Sequence, residues 1–220
     1  MSYKTRFTAQ AQDSSRFVWD VLSTLPPSLQ HAGAQAVQFC SDYVKHDETK
    51  GVKSFDFPGF KNAVDNLPDV DFIIEGFDSA NVSPGPIVQL PATFATPLVQ
   101  KFRLPIEEKD VADFIQVVYD RLDYAKQAGV ADFYVIPSDT TKKPATKAQS
   151  VWEYRLLIMT ANPNVPTDFH VQPAVLEVKA ETDNESDWAP PKDGLKATSA
   201  RVTLMKIAAT KDFRRPEPPS

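Results

Sequence analysis

The side chains best suited to chemistry in this sequence are three histidines and a single cysteine. His31 and Cys40 are nine residues apart within a helical apolar pattern. That spacing is about 2.5 helical turns, so the two side chains fall on opposite sides of a helix. His170 could meet Cys40 only through the fold. Because buried helical cysteines are common in structural cores, the pattern favours no nucleophilic pair.

The sequence also offers no recognisable metal site. The sequence contains neither two histidines at the spacing that a zinc-binding helix requires nor two cysteines separated by two residues. Acidic residues alternate from Glu181 to Asp187, as they do in a calcium loop. However, the glycine and the closing glutamate of such a loop are lacking, and Pro190 and Pro191 follow soon after. We predict a solvated acidic loop, no metal, no cofactor, no catalytic residue and therefore no enzyme.

Glycine and charge exclude two further classes of protein. The 220 residues contain only seven glycines, all isolated from one another, against 19 prolines. Loops that bind phosphate groups and the nucleophile turn of hydrolases both need clustered glycines, so the sequence contains neither motif. A net charge of −5 without a basic run excludes the electrostatic footprint of a nucleic-acid-binding protein.

Helical periodicity dominates the first half of the chain. Apolar residues recur at helical spacing over 17–25, where Pro26 ends the run, and again over 28–44. A short helix is predicted within 55–67, and residues 70–74 suggest a strand. The clearest helix follows Pro105, with acidic residues in its first turn and an apolar stripe that ends at Gly129.

The period changes from 3.6 to 2 in the second half. Alternating or strongly apolar segments occupy 131–136, 150–161, 169–181 and 198–209. The polar connections between them suit an antiparallel sheet. Pro173 cannot donate to a strand ladder, which predicts an edge position or a bulge at that point.

This order of elements predicts an α+β fold in one domain, with an antiparallel sheet covered by amphipathic helices. The domain is expected to span 1–212, and the proline-rich residues 213–220 are expected to form a disordered tail. The first residues lack the apolar stretch of a signal peptide, and nothing approaches the ~20 apolar residues of a spanning helix. A soluble protein without a secretion signal is the expectation.

The three long alternating segments, 150–161, 169–181 and 198–209, each reach the ~9 to 11 residues that a tilted strand needs to cross a bilayer. If the helices moved aside, the apolar strand faces could enter lipid, with aromatic residues near the interface. The residues predicted to insert are Trp152, Tyr154, Leu156, Ile158, Phe169, Val171, Leu176, Val178, Val202 and Leu204.

The same order of features resembles a known family. It runs from an N-terminal helical half through Lys101-Phe-Arg-Leu-Pro-Ile to the long helix, and then to Asp132-Phe-Tyr-Val. The strands beginning at Ser150, at Phe169 and near Arg201 complete it. In this layout the chain is similar to the Cyt family of cytolytic delta-endotoxins and to the volvatoxin-like pore-forming cytolysins.

The resemblance implies a three-layer α/β/α domain and a pore-forming toxin that acts without catalysis. It implies direct binding to membrane phospholipid, self-association into oligomers on the membrane, and release of the soluble protein to act on target cells. The acidic loop after residue 181 favours zwitterionic over anionic lipid. The alternative interpretation is a soluble binding module that holds a small apolar or sugar ligand between helices and sheet.

Overall fold

A central β-sheet organises the molecule. The computed structural model describes residues 5–6, 18–48, 52–120, 131–136, 148–182 and 197–216. Seven strands form the main sheet in the order β1-β2-β7-β8-β9-β5, with β6 also paired to β7, and two short strands form a separate hairpin. The strands are β1 (Thr5–Arg6), β2 (Asp20–Ser23), β3 (Val44–Asp47), β4 (Val52–Phe55), β5 (Phe72–Val82), β6 (Ala131–Ile136), β7 (Ala148–Ala161), β8 (Asp168–Thr182) and β9 (Ala197–Thr210).

Helices cover both faces of this sheet. They are α1 (Gln30–Ser41), α2 (Phe57–Asp65), α3 (Leu90–Thr96) and α4 (Glu108–Tyr119). A 3₁₀ turn at Pro27–Leu29 precedes α1, another at Ile87–Gln89 precedes α3, and a π turn at Pro97–Lys101 follows α3. Prolines stand at the start of most of these pieces, where the missing N–H has no intrahelical partner to lose.

Two separate hydrophobic cores show the layering. One core joins α3, the π turn and α4 to one face of β7, β8 and β9. The other joins α1 and α2 to the opposite face. The protein is thus a single α+β domain of three layers, α/β/α, which confirms the predicted fold class. We call the two sheet surfaces the α4 face and the α1 face.

The helix predicted over 17–25 is wrong. Residues 20–23 form β2 instead, which pairs in parallel with β7 from Asp20 opposite Leu156 to Ser23 opposite Met159. Both faces of this strand are buried. A strand buried on both faces is a continuous apolar run, and over so few residues such a run cannot be told from a helix by its period.

The other elements mostly follow the sequence. The helix predicted over 28–44 is confirmed as α1, except that it ends at Ser41 and that Val44 begins β3. The helix within 55–67 is confirmed as α2 and the helix after Pro105 as α4, although residues 121–130 lie outside the described part. The strand suggested at 70–74 extends to Val82 as β5. All four segments of period two are strands, and their mutual pairing is antiparallel.

Pro173 does not lie at an edge, because β8 is paired on both sides. It lies opposite Leu157 of β7, and the ladder toward β9 lacks partners between Val171 and Ala174 without a change of register. The sheet therefore accommodates the missing donor by a local gap in one ladder.

The predicted tail begins within packed structure. Phe213 is buried in the core on the α1 face, and its ring stacks on Phe72 at 4.3 Å between centroids. The Arg215 guanidinium donates two hydrogen bonds to Asp42, at 2.7 and 2.6 Å, and so ties residue 215 to the end of α1. Only 217–220 of the predicted tail lie outside the described residues.

Candidate functional site

Most of the residues predicted to insert form one continuous apolar surface. Eight of the ten lie on the α4 face in a single core with α3 and α4, and each is at most 2% exposed. They are Trp152, Tyr154, Leu156, Ile158, Leu176, Val178, Val202 and Leu204. Phe169 and Val171 are equally buried but belong to the core on the α1 face. The ten residues therefore do not form one surface, because positions 169 and 171 differ in parity from 176 and 178.

The opposite side of the same strand segments carries charge. Glu153 of β7 lies opposite Glu177 of β8, which lies opposite Arg201 of β9. Lys179 contacts Glu177 at 3.3 Å along β8. From Trp152 to Leu156, apolar residues of the α4 face thus alternate along β7 with Glu153 and Arg155 on the other face, and that other face is apolar again from Leu157 onward.

Arg155 is the most deeply buried of these charges. Its side chain is fully enclosed on the α1 face. The guanidinium donates to the carbonyl of Val18 at 3.0 Å and to the carbonyl of Lys53 at 2.8 Å. It therefore links β7 to the chain before β2 and to β4. The alternating pattern places Arg155 on this face, but the sequence contains no sign of its two carbonyl partners, which are 137 and 102 residues away.

The contact between α4 and the α4 face of the sheet includes two polar groups that lack a hydrogen-bond partner among the described residues. Tyr119 of α4 meets Trp152 of β7 edge to face, with ring centroids 4.6 Å apart. The Tyr119 hydroxyl and the Trp152 indole N–H are both buried without a hydrogen-bond partner in the described structure. Burial alone raises the pKa of Tyr119 well above its usual value. An unpaired buried donor destabilises the closed arrangement of helix and sheet.

Replacing Tyr119 with phenylalanine should stabilise the fold. The change removes the unpaired hydroxyl and keeps the ring, so we expect the free energy of unfolding to rise by about 1 kcal/mol. The matched control is Tyr154→Phe, because the Tyr154 hydroxyl donates to Asp20 at 2.8 Å. That variant should lose stability instead. Urea unfolding of both proteins measures the two signs, and a loss of stability in Tyr119→Phe would contradict the assignment.

His170 lies at the far end of the α4 face in a group of charges. Its Nε2 is 3.6 Å from Glu75, which also pairs with Lys206 at 3.0 Å. Burial and the Lys206 ammonium lower the pKa of His170, while Glu75 and Asp168 oppose that shift. The imidazole is therefore held neutral at pH values where an exposed histidine begins to take up a proton.

The fold should weaken on mild acidification because of this histidine. The unfolded chain, with a pKa near 6.5, binds the proton at higher pH than the folded chain does, so stability falls as pH drops below that value. His170→Gln should reduce the loss of stability between about pH 7.5 and 5. The same change at the exposed His46 is the control. If both variants keep the wild-type pH dependence, His170 is not the group responsible.

The remaining predicted chemical groups are not brought together. Cys40 is fully buried on α1, and burial, reinforced by Asp42, raises the pKa of its thiol. Within the described ranges, no three His, Cys, Asp or Glu side chains are grouped so that they could hold a metal ion. In the same ranges, no helix is both long enough and apolar enough to cross a bilayer.

These observations define a three-layer α/β/α domain. One face of its sheet is apolar and covered by helices, and the other face is partly charged. No protein-family model and no curated protein matches the sequence. Solved structures do. The activated Cyt2Ba monomer of Bacillus thuringiensis subsp. israelensis superposes with a TM-score of 0.65 at 11% identity, over 89% of this chain and all of that one.

A second structure, described as a delta-endotoxin, superposes with a TM-score of 0.68 at 12% identity. The match covers 96% of this chain and 89% of that chain. The protein therefore has the fold of the Cyt delta-endotoxins, as the resemblance in its sequence implied. At this level of identity the likeness concerns the fold.

Proposed function

We propose that this protein is a pore-forming cytolysin. It binds membrane phospholipid directly, associates with further copies of itself on the membrane, and permeabilises the membrane without catalysis. It is released as a soluble protein and acts on target cells. The delta-endotoxins that share its fold are toxins by name, which supports the general class. The more specific proposal depends on the two faces of β7, β8 and β9.

The observation that carries the proposal is the alternation across these strands. On the α4 face Trp152, Leu176 and Val202 are apolar, and between them Glu153, Glu177 and Arg201 point to the opposite face. Strands that lie in lipid with one face and in water with the other have this period-two pattern.

The strands are also long enough. β7, β8 and β9 contain 14, 15 and 14 residues. A tilted strand needs about 9 to 11 residues to cross the hydrocarbon layer. The residues of the α4 face would enter lipid, and the charged row would face water.

For this to happen the layer made of α3, the π turn and α4 must leave the α4 face. The unpaired polar groups of Tyr119 and Trp152 lower the cost of that separation, because both groups can reach water or headgroups once they part. Trp152 then lies near one end of the apolar stretch, where an indole favours the interface between lipid and water. We expect zwitterionic lipid to be the target, from the acidic sequence that follows Glu181.

Dye release from vesicles tests the proposal. Purified protein should release a trapped dye from phosphatidylcholine vesicles, and the protein extracted with detergent should elute as an oligomer. A protease-trimmed sample should be run in parallel, so that a need for trimming is recognised. If neither sample releases dye from any lipid mixture and both stay monomeric, the proposal is wrong.

The same experiment addresses the alternative of a soluble binding module. A module that holds an apolar or sugar ligand between helices and sheet would leave vesicles intact and would carry a ligand of fixed stoichiometry in native mass spectrometry. In the structure this space is filled by large side chains, including Phe94, Tyr119, Trp152 and Tyr154, each at most 1% exposed. Their packing favours the cytolysin.

A further inference from the structure

The outer edge of β5 is an exposed strand edge at one end of the main sheet. β5 pairs with β9 along its inner side, and among the described residues no strand pairs with its outer side. Two large apolar side chains, Ile73 at 47% and Phe77 at 55% exposure, stand on this strand. The ladder of β5 shifts register between Ile74 and Gly76. The seven residues 76–82 that follow form a regular edge, and such an edge can accept a further strand unless something blocks it.

One blocking device is visible at Ser79. Its carbonyl accepts a hydrogen bond from Lys101 Nζ at 2.6 Å, and its N–H donates to Asp78 Oδ1 at 2.7 Å. Lys101 also pairs with Asp78 Oδ2 at 2.9 Å. We call Lys101, Asp78 and Ser79 the edge clasp. In an antiparallel ladder the N–H and C=O of one residue point to the same side, so the clasp occupies a position where a new strand would bond.

The clasp connects the edge to the helical layer, because Lys101 is the last residue of the π turn that follows α3. Any movement that lifts this layer from the α4 face also withdraws the Lys101 ammonium from Ser79. The same movement would therefore expose the apolar face and open the strand edge together.

We infer that the outer edge of β5 binds the β5 strand of a second copy of this chain, antiparallel and with Ser79 opposite Ser79, once the clasp has opened. The inference rests on the proposed function. A sheet that enters hydrocarbon must have every backbone group paired, so an open edge has to be filled by another strand.

A second copy of β5 fits this edge better than the other strands do. On the opposite side of the sheet, β1 has two residues and β6 has six, whereas the pairing centred on Ser79 joins the seven residues 76–82 of each β5 strand. With Ser79 at the centre, Asp78 lies opposite Ala80 and Phe77 lies opposite Asn81. No like charges are placed directly opposite each other. Two copies related by a twofold axis make this contact in its simplest form.

Cysteine cross-linking tests the contact. In a Cys40→Ala background, Ser79→Cys should form disulfide-linked dimers on phosphatidylcholine vesicles, because directly opposite residues bonded across an antiparallel pair have Cα atoms about 5.5 Å apart. An equal mixture of Phe77→Cys and Asn81→Cys proteins should cross-link, and either protein alone should not. The exposed Lys61→Cys on α2 is the control and should stay monomeric under the same oxidation.

The clasp itself is tested by Lys101→Met in the Ser79→Cys protein. Loss of one ion pair and one charge-assisted hydrogen bond should speed dimer formation about fivefold. Dye release without any cross-link at 77, 79 or 81 would overturn the inference and leave the proposed function standing. An unchanged rate in Lys101→Met would overturn the role of the clasp. If the unmodified chain releases no dye, the proposed function itself fails.

Discussion

A covalent bridge between Lys101 and Asp78 should abolish most dye release while vesicle binding persists. Both residues are changed to cysteine in a Cys40→Ala background and joined by a short, reducible bis-maleimide. The bridge replaces an ion pair of 2.9 Å and keeps the π turn on the edge of the sheet. Closing a loop of this size stabilises the closed state by about 3 kcal/mol, which corresponds to roughly a 100-fold slower release.

The matched control uses another ion pair on the protein surface. Lys61 and Asp65 form a contact four residues apart within α2, so a bridge between them holds nothing across layers. That protein should release dye at the wild-type rate. Reduction of the bridge at 78 and 101 should restore release. Equal release by the bridged protein and the control would show that the helical layer does not need to move.

The second large effect is expected at Arg155. Arg155→Leu leaves the carbonyls of Val18 and Lys53 without their donor and removes a fully buried positive charge. We expect the free energy of unfolding to fall by about 3 to 5 kcal/mol, the usual cost of breaking a buried charged network. Urea unfolding followed by fluorescence measures it.

Arg201→Leu is the control for this change. Arg201 lies on the same face of the sheet two strands away, but its side chain is exposed and donates only to the Ser79 hydroxyl, among the contacts described. The same substitution should change stability by no more than about 1 kcal/mol there. Similar losses at both positions would show that the buried carbonyl contacts of Arg155 contribute little.

The faces of β7, β8 and β9 were predictable because alternation within one strand is a local property. Trp152, Tyr154, Leu156 and Ile158 share a face in any straight strand that contains them. The same rule separates Phe169 from Leu176, and grouping them as one insertion surface overlooked their parity. The α+β class likewise followed from helices that precede a long-stranded sheet, whereas the three-layer arrangement was implied by the resemblance to the Cyt family.

Pairing between distant segments was not predictable. β2 is a strand because β7 accepts it in parallel on its free edge, and Val21 and Leu22 gave no hint of that partner. The same limit applies to Arg155, whose role depends on carbonyls far away in sequence, and to Phe213, which completes an aromatic cluster with Phe39 and Phe72. These contacts depend on tertiary structure, which local sequence preferences predict poorly.

Entry of the α4 face into lipid can be measured residue by residue. Single cysteines at 200 to 204 of β9, in the Cys40→Ala background, can each carry an environment-sensitive dye such as NBD. On phosphatidylcholine vesicles we predict quenching of the dye by lipid-borne quenchers at positions 200, 202 and 204, which are buried in the protein before it binds, and little quenching at 201 and 203. Uniform quenching at all five positions, or no quenching at any of them while dye release proceeds, would show that the α4 face does not enter lipid.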